Sequence, residues 1–145
     1  MAFDKQDLIL VTNDDDNKIT RYKLARIIYA ETGASSLAAV EALASMIKNL
    51  AAASGREFSD IANDSNIFES LQRNNPHKEL IYVDSRSNKF QMCLRSVRRM
   101  MCGQLMDSVG GATRFHHADD IPDWSMGIGY MADVDGLLFY LEDNV

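Results

Sequence analysis

Apolar residues recur along this chain at helical spacing in three places. Leu24, Ile27 and Ile28 follow Thr20, a residue type whose hydroxyl accepts the first backbone N–H groups of a helix. Gly33 supplies the left-handed residue that ends such a helix, so the pattern predicts one that starts at Thr20 and stops before Gly33. Ser36 caps a second helix with Leu37, Val40, Leu43, Ala44, Ile47 and Leu50 on one face and Gly55 at its end. Its many alanines let neighbouring elements approach closely. Ser59 opens a short helix through Ile61 and Ala62, and residues 66–88, with Pro76 and several Asn, read as mostly irregular. A third long helix runs from Lys89 to Met101 and stops at Gly103. Phe90, Leu94, Val97 and Met101 form its apolar stripe, and Arg95, Arg98 and Arg99 line the opposite side.

After Gly110-Gly111 the period shortens. Ala112–His116, Ile128–Met131 and Leu137–Leu141 read as strands, the last two joined by a hairpin loop over Ala132–Gly136. Helices first and a small antiparallel sheet near the C-terminus define an α+β domain. We expect one domain over residues 1–145, with residues 1–19 as a flexible N-terminal extension. A chain of this size buries roughly 68–70% of its unfolded surface, enough for a core without staples.

Composition narrows the functional classes. The net charge of −6 disfavours bulk binding to nucleic acid or to anionic membranes. No apolar stretch approaches the roughly 18 residues that span a bilayer, so membrane insertion is not expected. The N-terminus has a mixed charge and only the apolar run Leu8–Val11, against the basic start and about 7–15 apolar residues of a secretory signal. Action outside the cytoplasm would need another export route, such as phage-like lysis. Cys93 and Cys102, on one helix, would stand about 13 Å apart at 1.5 Å per residue. That exceeds disulfide reach, and the expectation is two reduced, half-buried thiols. The run Asn13–Asn17 resembles a calcium loop. It fails, because Lys18 and Leu24 occupy the positions that need Gly and Glu, and a solvated loop is expected. No metal or cofactor is implied, and the oligomeric state is left open.

Three groups of residues carry candidate chemistry. Glycosidic cleavage needs a carboxylic acid that keeps its proton near neutral pH, which desolvation at a helix end facing an apolar cleft provides. Glu31 has that placement, after Ile27, Ile28, Tyr29 and Ala30 and on the same helix side as Leu24. On residue chemistry alone a surface carboxylate beside apolar neighbours is the favoured reading, because single carboxylates are common. The second group is Gly110–His117, where alternation sets Thr113, Phe115 and His117 on one face and Arg114 and His116 on the other. Arg114 and His116 would bond a sugar there; a bent strand with exposed histidines is the plainer reading. The third is Trp124, the sole tryptophan, after Pro122-Asp123. Its ring could stack on a sugar or anchor a loop. Serine-hydrolase, zinc-protease and nucleotide-loop motifs are absent.

In order along the chain, these islands resemble the SleB/CwlJ-type cell-wall hydrolase family. They are Leu24–Glu31, Phe90–Arg99, Asp107–His116, Pro122–Ser125, and Ile128-Gly129 with Leu138-Phe139-Tyr140. The resemblance covers roughly residues 20–141. It implies a lysozyme-like, transglycosylase-related fold and cleavage of peptidoglycan glycan strands, as a lytic transglycosylase or a muramidase. Glu31 would be the acid/base, with Tyr29, Phe68, Ser70, Thr113, Arg114, His116 and Trp124 as substrate-binding residues. The site of action would be the cell wall or periplasm. A single Glu can suffice, taking a proton back from the sugar's own 6-hydroxyl to leave an anhydro-muramoyl end, unlike the two-carboxylate scheme. The chain departs from the family at Ser35, where a second Glu is common. Ile67 replaces a usual Gln before Phe68 and Ser70, and Arg114 replaces a usual His. The departures at Ser35 and Ile67 motivate one alternative, a catalytically idle peptidoglycan-binding module, and the missing signal and free cysteines motivate another, a protein-interaction module. Glu69 could stand in as a carboxylate.

Overall fold

The computed structural model describes residues 13–75, 78–127 and 129–142, with the side chains of residues 13–16 outside that description. Helix α1 spans Asn13–Thr32. It therefore starts seven residues or more before the expected cap, and Thr20 lies inside it. The acidic run Asn13–Asn17 is helical rather than a loop. Of the expected flexible extension, residues 13–19 are thus helical, and residues 1–12, with Leu8–Val11, lie outside the described residues. At the far end Gly33 N–H bonds the Tyr29 carbonyl at 2.8 Å, so Glu31 sits in the last turn, as its sequence position implied.

Helix α2, Leu37–Ser54, has the caps its sequence announces. Ser36 Oγ accepts from Ala39 N–H, and Gly55 ends it in the left-handed region. Val40, Leu43, Ala44, Ile47 and Leu50 are buried, whereas Leu37 at the first position is half exposed and lies off the stripe. This helix is long and apolar enough by length and composition to cross a membrane. In the fold it is the central core helix, packed on α1 and on the third long helix. A short turn, α3 (Phe58–Ile61), begins after Glu57, so Ser59 falls within it rather than capping it.

The segment from Ala62 to Ser87 carries two 3-10 turns, Glu69–Leu71 and Lys78–Tyr82, and is otherwise irregular; Pro76 lies outside the described residues. Arg26 on α1 pins it, donating to the carbonyls of Ile81 and Val83 at 3.3 and 2.5 Å. Helix α4, Asn88–Met101, follows the Ser87 cap. Phe90, Leu94 and Val97 are buried as expected, but Met100 rather than Met101 completes the stripe. Arg95, Arg98 and Arg99 face solvent. The two thiols are free and differ: Cys93 is buried and Cys102 exposed, so neither is half-buried.

The sheet has three antiparallel strands in the order β1-β3-β2, with β1 Arg114–His117, β2 Gly129–Val134 and β3 Leu137–Leu141. β1 starts and ends later than read from sequence. β2 extends to Val134 because Ala132 and Val134 alternate inward onto the core, which reduces the expected five-residue loop to Asp135-Gly136. Both turn residues have positive φ, 48° and 84°, the backbone a two-residue hairpin requires. A register shift between Tyr130 and Ala132 leaves Met131 unpaired as a bulge, and Ile128 lies outside the described residues. Ser36 Oγ donates to Asp135, tying this turn to the start of α2. The core joins Leu24, Ile27 and Ile28 of α1, Val40, Leu43 and Ile47 of α2, Phe90 and Val97 of α4, and Phe68, Phe115 and Phe139. Each large side chain so buried stabilises by roughly 1.5–3 kcal/mol. The architecture is a mixed α+β domain with a small antiparallel sheet near the C-terminus.

Candidate functional site

β1 is an edge strand, and what precedes it sets its position. The Asp107 carboxylate accepts from Val109 N–H at 2.9 Å and Gly111 N–H at 2.7 Å, folding the backbone into a tight turn. Gly110 and Gly111 both have positive φ, 61° and 86°, which is why two glycines stand there. Asn49 of α2 then donates to the Ala112 carbonyl at 3.1 Å. The strand so placed lines a cleft of about 310 Å³ with five consecutive residues, Thr113 to His117. Residues of both strand faces contribute to the lining.

Opposite β1 stand Asn66, Ile67, Glu69 and Gln72 from the irregular segment, with Arg56, Trp124 and Glu142 at the ends. Arg56 is held by Asp60 and Asp64 at 2.9 and 3.1 Å. Arg114 pairs with Glu142 at 2.6 Å and lies over the Trp124 ring, 3.9 Å from its centre. His116 stacks on Tyr140 and meets Trp124 edge-on, with ring centres 5.3 and 5.5 Å apart. The cleft thus joins the Trp124 ring, covered by Arg114, to a mixed wall of the Asn66 and Gln72 amides, the Thr113 hydroxyl, the Glu69 carboxylate and the apolar Leu50, Ile67 and Phe115.

Glu31 lies behind this wall. Its side chain is 1% exposed. Oε2 accepts from Ser70 N–H at 2.7 Å, and Oε1 lies 2.7 Å from His117 Nε2. His117 lines the cleft with its side chain 19% exposed. The hydrogen bond with Glu31 raises the pKa of His117 above the usual imidazole range; burial opposes this, and the charges of Glu31, Glu69 and Asp119 add to it. The imidazole therefore holds its proton to a higher pH than a free one. Among the described residues no three His, Cys, Asp or Glu side chains converge on a point where a metal ion could bind.

Of the eight residues read from sequence, four line the cleft and four do not. Thr113, Arg114, His116 and Trp124 line it, and Ser70 touches Glu31 through its backbone. Ser70 Oγ is buried without a partner among the described residues. Phe68 is fully buried, its ring 6.2 Å from that of Phe115, so it is a core residue rather than a sugar contact. Tyr29 is half-buried against the core and lies outside the cleft lining. Glu31 is likewise not part of the lining. His116, expected to bond substrate, has both ring nitrogens engaged, Nε2 with Tyr140 Oη at 2.9 Å and Nδ1 with the His117 carbonyl at 2.8 Å.

His117 was the residue missed. Alternation correctly set it on the face of Phe115, the inward one, where a histidine needs a polar partner. That signal could have found it, but its partner lies 86 positions away. Comparison with protein-family models, with curated proteins and with solved structures returns no match.

Proposed function

We propose that this protein cleaves the glycan strand of peptidoglycan, as a lytic transglycosylase or a muramidase, with Glu31 as the source of its acid/base chemistry. The reading places the chain on a lysozyme-like, transglycosylase-related fold that acts at the cell wall or periplasm. One observation carries it: a carboxylate at a helix end, shielded from water and engaged by an N–H and an imidazole, stands directly behind a sugar-sized cleft. A carboxylate held at a fixed point by two hydrogen-bond partners suits acid/base chemistry, which needs its groups in place. The lining supports the same substrate class. Asn66, Gln72 and Thr113 offer hydrogen bonds to hydroxyl and acetamido groups, and Trp124 offers an aromatic surface. The islands shared with the SleB/CwlJ-type family point the same way.

A second reading is a module of the same fold that binds peptidoglycan without cutting it. The burial of Glu31 behind His117 favours it, since Glu31 itself does not line the cleft. Co-sedimentation with insoluble peptidoglycan, followed by assay of soluble fragments, separates the two. Fragments released by wild type and not by Glu31→Gln support cleavage. Sedimentation without release supports the binding module.

A further inference from the structure

If this protein is a glycosidase, its buried acid needs a route to substrate. Both Glu31 oxygens are occupied, and what stands between that carboxylate and the cleft is the ring of His117. Nε2 faces Glu31, and among the described residues nothing bonds Nδ1. We propose that His117 is the outlet through which the proton held by the Glu31–His117 pair reaches a glycosidic oxygen in the cleft, so that the two residues act as one acid/base pair. This rests on the peptidoglycan-cleaving reading and adds to it a residue that the family resemblance did not supply.

The step balances within the pair and the substrate. The Nδ1 proton of the imidazolium passes to the glycosidic oxygen as its bond to C1 breaks, the bonding electrons staying on that oxygen. Nε2 keeps its proton, shared with the Glu31 carboxylate, and the imidazole is left neutral. The 6-hydroxyl oxygen of the same sugar then bonds C1. Its proton returns to Nδ1, which restores the imidazolium–carboxylate pair. No co-reactant is needed. If water attacks C1 instead, the same return of the proton completes a hydrolysis.

The surroundings of the ring suit this role. Glu69, from the segment facing β1, and Asp119, just beyond the strand, add negative potential to that of Glu31 and help keep a proton on the pair. The cleft's two arginines are each tied to carboxylates, Arg56 to Asp60 and Asp64, and Arg114 to Glu142. His116, the neighbouring imidazole, is bonded to Tyr140. Phe115 packs edge-on against the His117 ring, 5.8 Å between centres, and restricts its tilt.

The test is His117→Gln, whose amide can still bond Glu31 but cannot deliver a proton. Its folding is checked by circular dichroism, and its activity is followed as release of muropeptides from peptidoglycan across pH. The expected result is a fall in kcat of about 100-fold or more with KM little changed, and loss of the alkaline limb of the wild-type profile. Glu31→Gln should lose as much, and the double variant no more. Retention of kcat within a few-fold, with the wild-type pH profile, overturns the outlet while leaving the glycosidase reading intact. A wild type that releases nothing overturns that reading, and the outlet with it. Independently of folding in the His117 variant, the ring of His117 is titrated by NMR in wild type and in Glu31→Gln. A lower midpoint in the variant supports the pair, and identical midpoints overturn it.

Discussion

Ser70 gives its backbone N–H to Glu31 at 2.7 Å while its own hydroxyl is buried with no partner among the described residues. The contact that matters to Glu31 is thus independent of the Ser70 side chain. Ser70→Ala keeps it and removes an unsatisfied polar group. A buried group of that kind costs on the order of 1–3 kcal/mol, so stability should hold or rise by about 1 kcal/mol, with wall cleavage retained. Urea denaturation and a muropeptide-release assay check both. A large loss of cleavage would instead show that the hydroxyl serves the substrate.

The Glu31–His117 pair makes stability depend on pH in a definite direction. The folded-state pKa of His117 is raised, chiefly by the hydrogen bond to Glu31. Its contribution is therefore fully present below the unfolded value of about 6.5 and is lost as pH rises through the raised folded value. The stability gap between wild type and His117→Gln, from urea titrations between pH 5 and 9, should be widest at the acid end of that window and narrow upward. A gap that widens with pH contradicts the pairing.

Two thiols on one helix should behave oppositely. Burial pushes the Cys93 thiol up to about 12, whereas Cys102 is exposed at the end of α4. A thiolate is the reacting species, so a colorimetric thiol reagent near neutral pH should modify Cys102 in the folded protein and reach Cys93 only on unfolding. Rapid reaction of two thiols in the native state would contradict the packing of α4.

Gly110 precedes the cleft strand with φ +61°, and a Cβ there would lie 2.8 Å from the Met131 methyl group. The methyl end of a methionine can move aside, so the backbone sets the cost. Gly110→Ala should lose about 1–2 kcal/mol of stability, read from thermal or urea unfolding. A neutral outcome would mean that the turn readjusts.

The sequence made some of this legible and hid the rest for physical reasons. Helix α2 announced itself through Ser36, Gly55 and a regular stripe, each a local signal that the packing respects. Helix α1 did not, because Asn13–Asn17 carries no apolar period and its helicity rests on what lies further along the helix. The hairpin turn was misplaced because Ala132 is small enough to read as loop, although it packs on the core. Glu31 could be located from its turn of apolar neighbours. Its closure behind His117 could not, since it depends on an edge strand folding back over the end of α1. The family resemblance implied a sugar contact for Phe68, yet core packing claims it.

The most direct test of the account is mass analysis of fragments released from purified peptidoglycan by wild type and by Glu31→Gln. The account predicts soluble muropeptides from wild type alone. Anhydro-muramoyl ends would identify a lytic transglycosylase and reducing ends a muramidase. Equal release by the two proteins would contradict the role given to Glu31. Release by neither, on walls of several chemotypes, would contradict cleavage itself.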